Sequence, residues 1–312
     1  MSRFADALKR ARTGSITGSA SDEDRGGEAI RFFAPGQPAI VAPWNVGRDQ
    51  AGTPAAAQPT ARFLQDRRPA AGAGTERDQA EEPRRIVPFQ ATDKLVVSPE
   101  VTSLVRDQYN KLATALHQLQ LERGIKVVMI TSAVPREGKT LTTANLALTL
   151  SESYERRVLL IDADLRRPTI HSVFGISNVR GLSDSLTAHG PLPCAHLRST
   201  LSILTAGRAS RDPMKTLTSD RMRSLVDDAR AEFDWVLLDT APIGLLPDAS
   251  VLASMADGTL FVTRAGSTGY DAVQRATEVV GADRILGIVL NGLAEEALPV
   301  DYHEYYSAGL EG

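Results

Sequence analysis

One stretch restricts the chain more than any other: VVMITSAVPREGKTLTTANLA, from Val127 to Ala147. Val127-Val128-Met129-Ile130 is an apolar run of the kind a buried parallel strand shows, and a helical pattern begins at Thr143. The intervening loop, Ala133-Val134-Pro135-Arg136-Glu137-Gly138-Lys139-Thr140, fits G-x-x-x-x-G-K-[ST] with alanine at the first glycine. In such a turn Gly138 lets successive N–H groups point inward, the helix N-terminus adds partial positive charge, and Lys139 adds a full one. The ligand this chemistry implies is a nucleotide whose β- and γ-phosphates sit in the loop, with Pro135, Arg136, Glu137, Gly138, Lys139, Thr140 and Leu141 as the candidate binding residues. Thr140 would place its hydroxyl on the bridging Mg²⁺. A bare Gly-Lys-Thr also occurs by chance; the strand before it and the helix after it make the match specific.

The second group of candidates is acidic. Val158-Leu159-Leu160-Ile161 is another apolar strand and ends in Asp162-Ala163-Asp164-Leu165-Arg166-Arg167-Pro168, while Trp235-Val236-Leu237-Leu238 ends in Asp239. Ligands of open parallel sheets bind beyond the carboxyl ends of the strands, so these carboxylates fall where a nucleotide's metal and transferring phosphate would lie. The i, i+2 spacing of Asp162 and Asp164 points both to one face unless the ending strand re-aims the second. A strand closing on Asp239 is the pattern whose carboxylate supports Mg²⁺, giving Thr140, Asp162 and Asp239 as metal candidates.

Further strands are expected at Leu201–Leu204, Thr259–Thr263 and Ile285–Leu290, with helices over Ser219–Phe233, Pro247–Met255 and Thr268–Gly281 between them. Alternating strands and helices imply an α/β P-loop fold, a mostly parallel sheet with helices on both faces. An amphipathic helix is expected from an N-cap at Ser98 to Gly124, with Leu104, Tyr109, Leu112, Leu116 and Leu119 on one side. It packs on its own domain or on a neighbouring subunit.

Residues 1–95 have little periodicity and are rich in Gly, Pro, Ala, Arg and acidic residues, which predicts a mostly disordered arm. Ser2 to Arg12 and Ile30 to Trp44 are its more apolar places, readable as docking segments or as plain linker. The expected division is an arm over 1–95, a nucleotide domain over 96–296 and a tail over 297–312. A formal charge of −3 supplies no basic field for nucleic acid, and the single Cys194 suits a reducing compartment. No apolar run approaches a membrane span, so the expectation is a cytoplasmic protein that only a partner could hold at a membrane. No His/Cys cluster has zinc spacing and no G-x-S-x-G is present.

Taken together, Thr131–Thr140, Val158–Pro168 and Leu237–Pro242 resemble the Walker A, A′ and B motifs of the bacterial tyrosine kinases, the CpsD/CapB/Wzc-like autokinases of capsule and exopolysaccharide synthesis. The resemblance runs from about Ser98 to the C-terminus. It implies a fold related to the MinD/ParA partitioning ATPases and the use of ATP and Mg²⁺ to phosphorylate tyrosines of the protein's own tail. By motif, Lys139 and Thr140 bind phosphates and metal, Asp162 and Asp164 serve metal or substrate hydroxyl, Asp239 supports the metal, and Asn291 matches the adenine-contacting position. The family also implies a membrane-embedded activator and homo-oligomers that phosphorylate in trans.

Two departures stand out. The family's loop commonly has glycine where this chain has Arg136, and its ring-forming E-x-x-R-x-x-R pattern corresponds here to Asp107 through Ala113, without either arginine. The chain has six tyrosines, and Tyr302, Tyr305 and Tyr306 fall together in its last dozen residues, a clustering that packing does not explain, so the resemblance makes them the expected acceptors. The alternatives are a MinD- or ParA-like switch ATPase, which would place a lysine at Val134, and a catalytically weak ATP-binding regulator of polysaccharide machinery.

Overall fold

Eight strands line up in one sheet because most are apolar on both faces and must be covered on both. The computed structural model describes residues 86–89, 92–187, 190–210, 212–243 and 248–293, together with the backbone of 29–33. The strands are β1 (Ala29–Phe33), β2 (Val127–Ser132), β3 (Val158–Asp162), β4 (Ala195–His196), β5 (Leu201–Leu204), β6 (Trp235–Asp239), β7 (Gly258–Arg264) and β8 (Ile285–Leu293). Their order is β1-β8-β7-β2-β6-β3-β5-β4, parallel except for β1 and β4 at the two edges.

The helices are α1 (Ser103–Arg123), α2 (Lys139–Glu152), α3 (Ile170–Phe174), α4 (Leu182–Thr187), α5 (Pro213–Leu217), α6 (Asp220–Glu232), α7 (Asp248–Ala253) and α8 (Tyr270–Val280). Two apolar layers follow from the period-2 alternation of the strands. Val128, Ile130, Val158, Leu160, Trp235 and Leu237 face a core shared with Leu112 and Leu116 of α1 and Leu146 and Leu150 of α2. The residues between them, Val127, Met129, Leu159, Ile161, Val236 and Leu238, face Leu225 and Val226 of α6, Leu252 of α7 and Val273 of α8. Each fully buried Leu or Val contributes roughly 1.5–3 kcal/mol of transfer free energy, so the strands cannot be left uncovered on either side.

The chain leaves β2 in one direction towards β3 and later returns through β6 to reach β7 on the other side of β2. The crevice at the carboxyl end of β2 is therefore flanked by the strand ends that carry Asp162 and Asp239, the topological position at which open α/β sheets bind ligands.

Helix α1 starts later than its sequence suggests. Thr102 is its N-cap, accepting from the Val105 N–H at 3.4 Å. Ser98 instead closes a turn: its N–H donates to Leu95 O at 2.7 Å and its own carbonyl accepts from Arg106 Nη2 at 2.6 Å. Ahead of Ser98 a tertiary contact fastens the entering chain, since Asn145 of α2 accepts from Val96 N and donates to Lys94 O. At the other end Gly124 is left-handed, as expected, with φ 68° and its N–H on Gln120 O. Tyr109, Leu112, Ala113, Leu116 and Leu119 bury the helix against its own domain, which answers the question of what α1 packs on. Ala113, at the position of the second missing arginine, is fully buried.

Within the stretch expected to lack order, Ala29–Phe33 pairs antiparallel with β8, and Ile86 bridges His196 of β4, so arm residues meet both edges of the sheet. An edge strand presents unpaired N–H and C=O groups, and AIRFF has the β-branched and aromatic content that completes such an edge. Arm residues 1–28, 34–85, 90 and 91, with Ser2 to Arg12 among them, and the tail over 297–312 lie outside the described residues.

Candidate nucleotide site

The loop between β2 and α2 is held in an unusual shape. Gly138 has φ 88°, a conformation that favours glycine, and a Cβ placed there would sit 1.9 Å from Asn291 Nδ2, so any other residue would also have to displace the Asn291 amide. Arg136 also lies in the left-handed region, at φ 68°, although it carries a side chain. The position where the related loops commonly have glycine is thus one where the backbone favours it. Pro135 and Arg136 are exposed, Gly138, Thr140 and Leu141 are half-buried, and Glu137 and Lys139 are buried.

Asp239 is the hub of the site. At the end of β6, fully buried, its Oδ1 accepts from Lys139 Nζ at 2.7 Å and from Thr143 Oγ1 at 3.2 Å, and its Oδ2 accepts from Thr140 Oγ1 at 2.8 Å. Thr169 Oγ1 reaches Thr140 Oγ1 at 3.1 Å. The ion pair between Lys139 and Asp239 lies almost out of water, with 8% and 0% of the side chains exposed, where its attraction is little screened.

Asp162 stands directly beside Asp239 in the pairing of β3 with β6. Its Oδ2 accepts the Thr169 and Ile170 N–H groups at 3.1 and 3.0 Å, and its Oδ1 accepts the Asp164 N–H at 3.3 Å. The chain turns back over Asp162 at this point, and Asp164 Oδ1 in turn accepts the Arg167 N–H at 3.0 Å. Burial first, and then the neighbouring Asp239, push the Asp162 carboxyl up to about 8, against the pull of the Ile170 N–H and of Lys139. Asp164 is raised as well, again chiefly by burial. Asp162, Asp164, Asp239 and Lys139 are therefore all buried close to the carboxyl ends of β2, β3 and β6.

Asn291, near the end of β8, donates from Nδ2 to Glu137 O at 3.0 Å and accepts the Gly292 N–H on Oδ1 at 2.9 Å. An amide nitrogen has two hydrogens and its oxygen two lone pairs, so a donor and an acceptor position are left beyond these bonds. Lys139, Thr140, Asp162, Asp164, Asp239 and Asn291 are thus gathered around one loop, whereas Tyr302, Tyr305 and Tyr306 lie outside the described residues.

Sequence reading missed Thr143, Thr169 and Thr268. Thr143 was within reach, since it follows Lys139 by four residues and must share its helix face. Thr169 directly follows Pro168 and could have been read as the residue that starts α3. Thr268, which donates to the Glu137 carboxylate, carries no local signal because its partner lies 131 residues away.

No family model matches the chain. It is 36% identical over 203 residues to the tyrosine-protein kinase YwqD of Bacillus subtilis, covering 64% of this chain and 85% of that protein. The succinoglycan biosynthesis transport protein ExoP of Rhizobium meliloti is 33% identical over 213 residues, 66% of this chain but only 27% of that longer protein. Among solved structures, the kinase domain of the Escherichia coli tyrosine kinase ETK superposes with a TM-score of 0.59 at 32% identity, covering 63% of this chain and 79% of that one. Sequence similarity over most of YwqD's length and the shared kinase-domain fold lead to one assignment: this chain belongs to the bacterial tyrosine-kinase family.

Proposed function

We propose that this family member is an ATP-dependent protein-tyrosine autokinase whose acceptors are Tyr302, Tyr305 and Tyr306 of its own tail, acting in capsule or exopolysaccharide synthesis or export. The observation that carries the proposal is the convergence on Asp239 of Lys139 at 2.7 Å and Thr140 at 2.8 Å, with Asp162 paired beside it. A polyphosphate competes with Asp239 for Lys139, and the lysine's terminal position on a flexible stem allows that exchange.

The donor set suits Mg²⁺. Among the described residues no group of three or more His, Cys, Asp or Glu side chains would cage a metal by itself. Magnesium in phosphoryl-transfer sites takes one or two protein ligands and completes its shell with phosphate oxygens and water, and Thr140, Asp162 and Asp239 offer that partial set. When bound, the ion neutralises charge on the phosphoryl group being transferred.

The chain's own residues then do three things. Lys139, Gly138 and the loop N–H groups position the phosphates. Asp162 or Asp164, whose buried carboxyls hold protons more readily than ordinary ones, accepts the proton of the attacking tyrosine. Asn291 contributes its remaining donor and acceptor at the adenine position. Each transfer adds about −1.5 to −2 charges to a tail that already carries Asp301 and Glu304, which drives it from the acidic site.

Membership of the family makes a membrane-embedded activator the proposed partner and the inner membrane face the proposed place of action; among the described residues no helix is long and apolar enough to cross a membrane. The name of ExoP supports the link to exopolysaccharide. Nothing favours the switch-ATPase alternative, since Val134, where its lysine would stand, packs against the apolar core.

The test is transfer in trans. A Lys139→Ala chain mixed with a tail-deleted active chain and labelled Mg-ATP should acquire label on the three tail tyrosines. Label on serine or threonine alone, or label that survives changing all three tyrosines to phenylalanine, overturns the assignment of the acceptors.

A further inference from the structure

Glu137 is a buried carboxylate, 1% exposed, inside the loop that the proposed function assigns to phosphate binding. Its side chain is taken up by the protein. One oxygen, Oε2, accepts the Val134 N–H at 2.7 Å, closing the loop on itself. The other, Oε1, accepts the Arg264 N–H at 3.2 Å and the Thr268 hydroxyl through a short hydrogen bond, tying the loop to the turn between β7 and α8.

All three partners are donors, and an ionised carboxylate is the side chain that can only accept. Hydrogen bonds to a charged acceptor are about twice as strong as neutral ones, which offsets the cost of burying the charge. The same turn is joined to β8, since Ala265 N–H donates to Asn291 O at 2.8 Å and Asn291 Nδ2 donates back to Glu137 O.

We infer that Glu137 is a positioning residue: its carboxylate, with Thr268 as its partner, holds the phosphate loop in its binding shape from the ends of β7 and β8, without touching nucleotide. The loop needs an external fastener. Arg136, the residue before Glu137, is left-handed at φ 68°, a conformation a side-chain-bearing residue keeps only where its surroundings enforce it. With Val134 bonded to one oxygen of Glu137, the loop's path through residues 134–137 is closed into a ring that spans Arg136. Arg264 and Thr268 anchor that ring to the sheet.

This inference rests on the nucleotide-site reading, and its test separates the two. In the full-length chain, Glu137→Gln presents an amide N–H₂ to at least one donor, so Mg-ATP affinity measured by calorimetry should fall about tenfold. Thr268→Val should weaken affinity roughly three- to tenfold, Thr268→Ser should restore it, and the Glu137→Gln/Thr268→Val double variant should be little worse than Glu137→Gln alone. Amide exchange should accelerate over residues 133–140 in each weakened variant.

Unchanged affinity in Glu137→Gln, or full additivity of the two losses, overturns the inference. So does equal binding by Thr268→Val and Thr268→Ser, and that pair decides the matter if Glu137→Gln does not fold. Loss of binding in Lys139→Ala beside normal binding in the Glu137 and Thr268 variants would leave the nucleotide site standing and remove only the clamp.

Discussion

Asp162 and Asp257 sit at opposite ends of the same parallel sheet and are treated in opposite ways. Asp257, just before β7, is partly buried, but Arg230 Nη1 meets its two oxygens at 2.6 and 2.7 Å, and the Lys126 and Val127 N–H groups donate to Oδ2 at 2.8 and 2.9 Å. Burial works against its charge, yet Arg230 and the two N–H groups outweigh it and hold the carboxyl below its usual range. Asp162 has backbone donors too, but burial and, after it, the charge of the neighbouring Asp239 outweigh them, and its carboxyl is pushed up. The amino end of β2 uses an aspartate to finish the fold. The carboxyl end stores like charges together, an arrangement that costs stability and is eased by a cation.

The largest effect that would test this contrast is on chemistry. Asp239→Asn keeps the shape of the hub but removes its charge, and phosphoryl transfer should fall on the order of a hundredfold or more while the protein stays folded. Retained transfer in a steady-state assay would mean the metal is held elsewhere. Next in size, Lys139→Ala should lower nucleotide affinity roughly ten- to a hundredfold by calorimetry, since charge-assisted contacts of this kind contribute about 1.5–3 kcal/mol. Equal affinity would remove the phosphate-loop reading.

The pH dependence of stability should separate the two ends directly. Between the ordinary carboxyl value of 3.8 and about 8, folded Asp162 keeps a proton that the unfolded chain has lost, so its contribution makes nucleotide-free protein less stable as pH rises through that window. Asp257 runs the other way: its contribution is present above the unfolded value and is lost as pH falls through the lower folded one. Denaturant titrations should therefore show Asp162→Asn flattening the decline between about pH 5 and 8, by up to a few kcal/mol. Asp257→Asn should instead lower stability at neutral pH and weaken its acid-side dependence. A flat Asp162→Asn difference across that range would show that the two carboxylates do not differ as described.

The smallest effect concerns the loop. Arg136→Gly relieves a left-handed side-chain-bearing residue and should stabilise the protein by about 1 kcal/mol in chemical denaturation. A destabilised variant would mean that the Arg136 side chain contributes more than its backbone costs.

Much of this was legible because it is local. The apolar runs at Val127, Val158, Leu201 and Trp235 became strands at those places, Gly138 and Gly124 took the left-handed geometry their positions implied, and Ser219 caps α6 by accepting from Met222 N. Three of the short helices failed to register. Helices α3, α4 and α5 span five or six residues, too few for a 3.6-residue period to show. Ser98 misled because a turn and a helix N-terminus ask the same chemistry of a serine.

The sequence by itself determined that this chain would build a parallel sheet with a phosphate loop after one strand and carboxylates after two others, since strand, turn and cap preferences act over a few residues. Only the tertiary structure decided which of those groups would meet. Asp162 lies beside Asp239 because the chain inserts β6 between β2 and β3. Glu137 meets Thr268 across 131 residues and Asn291 across 154 because β7 and β8 come to lie on the far side of β2. Those pairings depend on strand order and register, which are set by burying both faces of the sheet at once, and no local stretch of sequence carries that information.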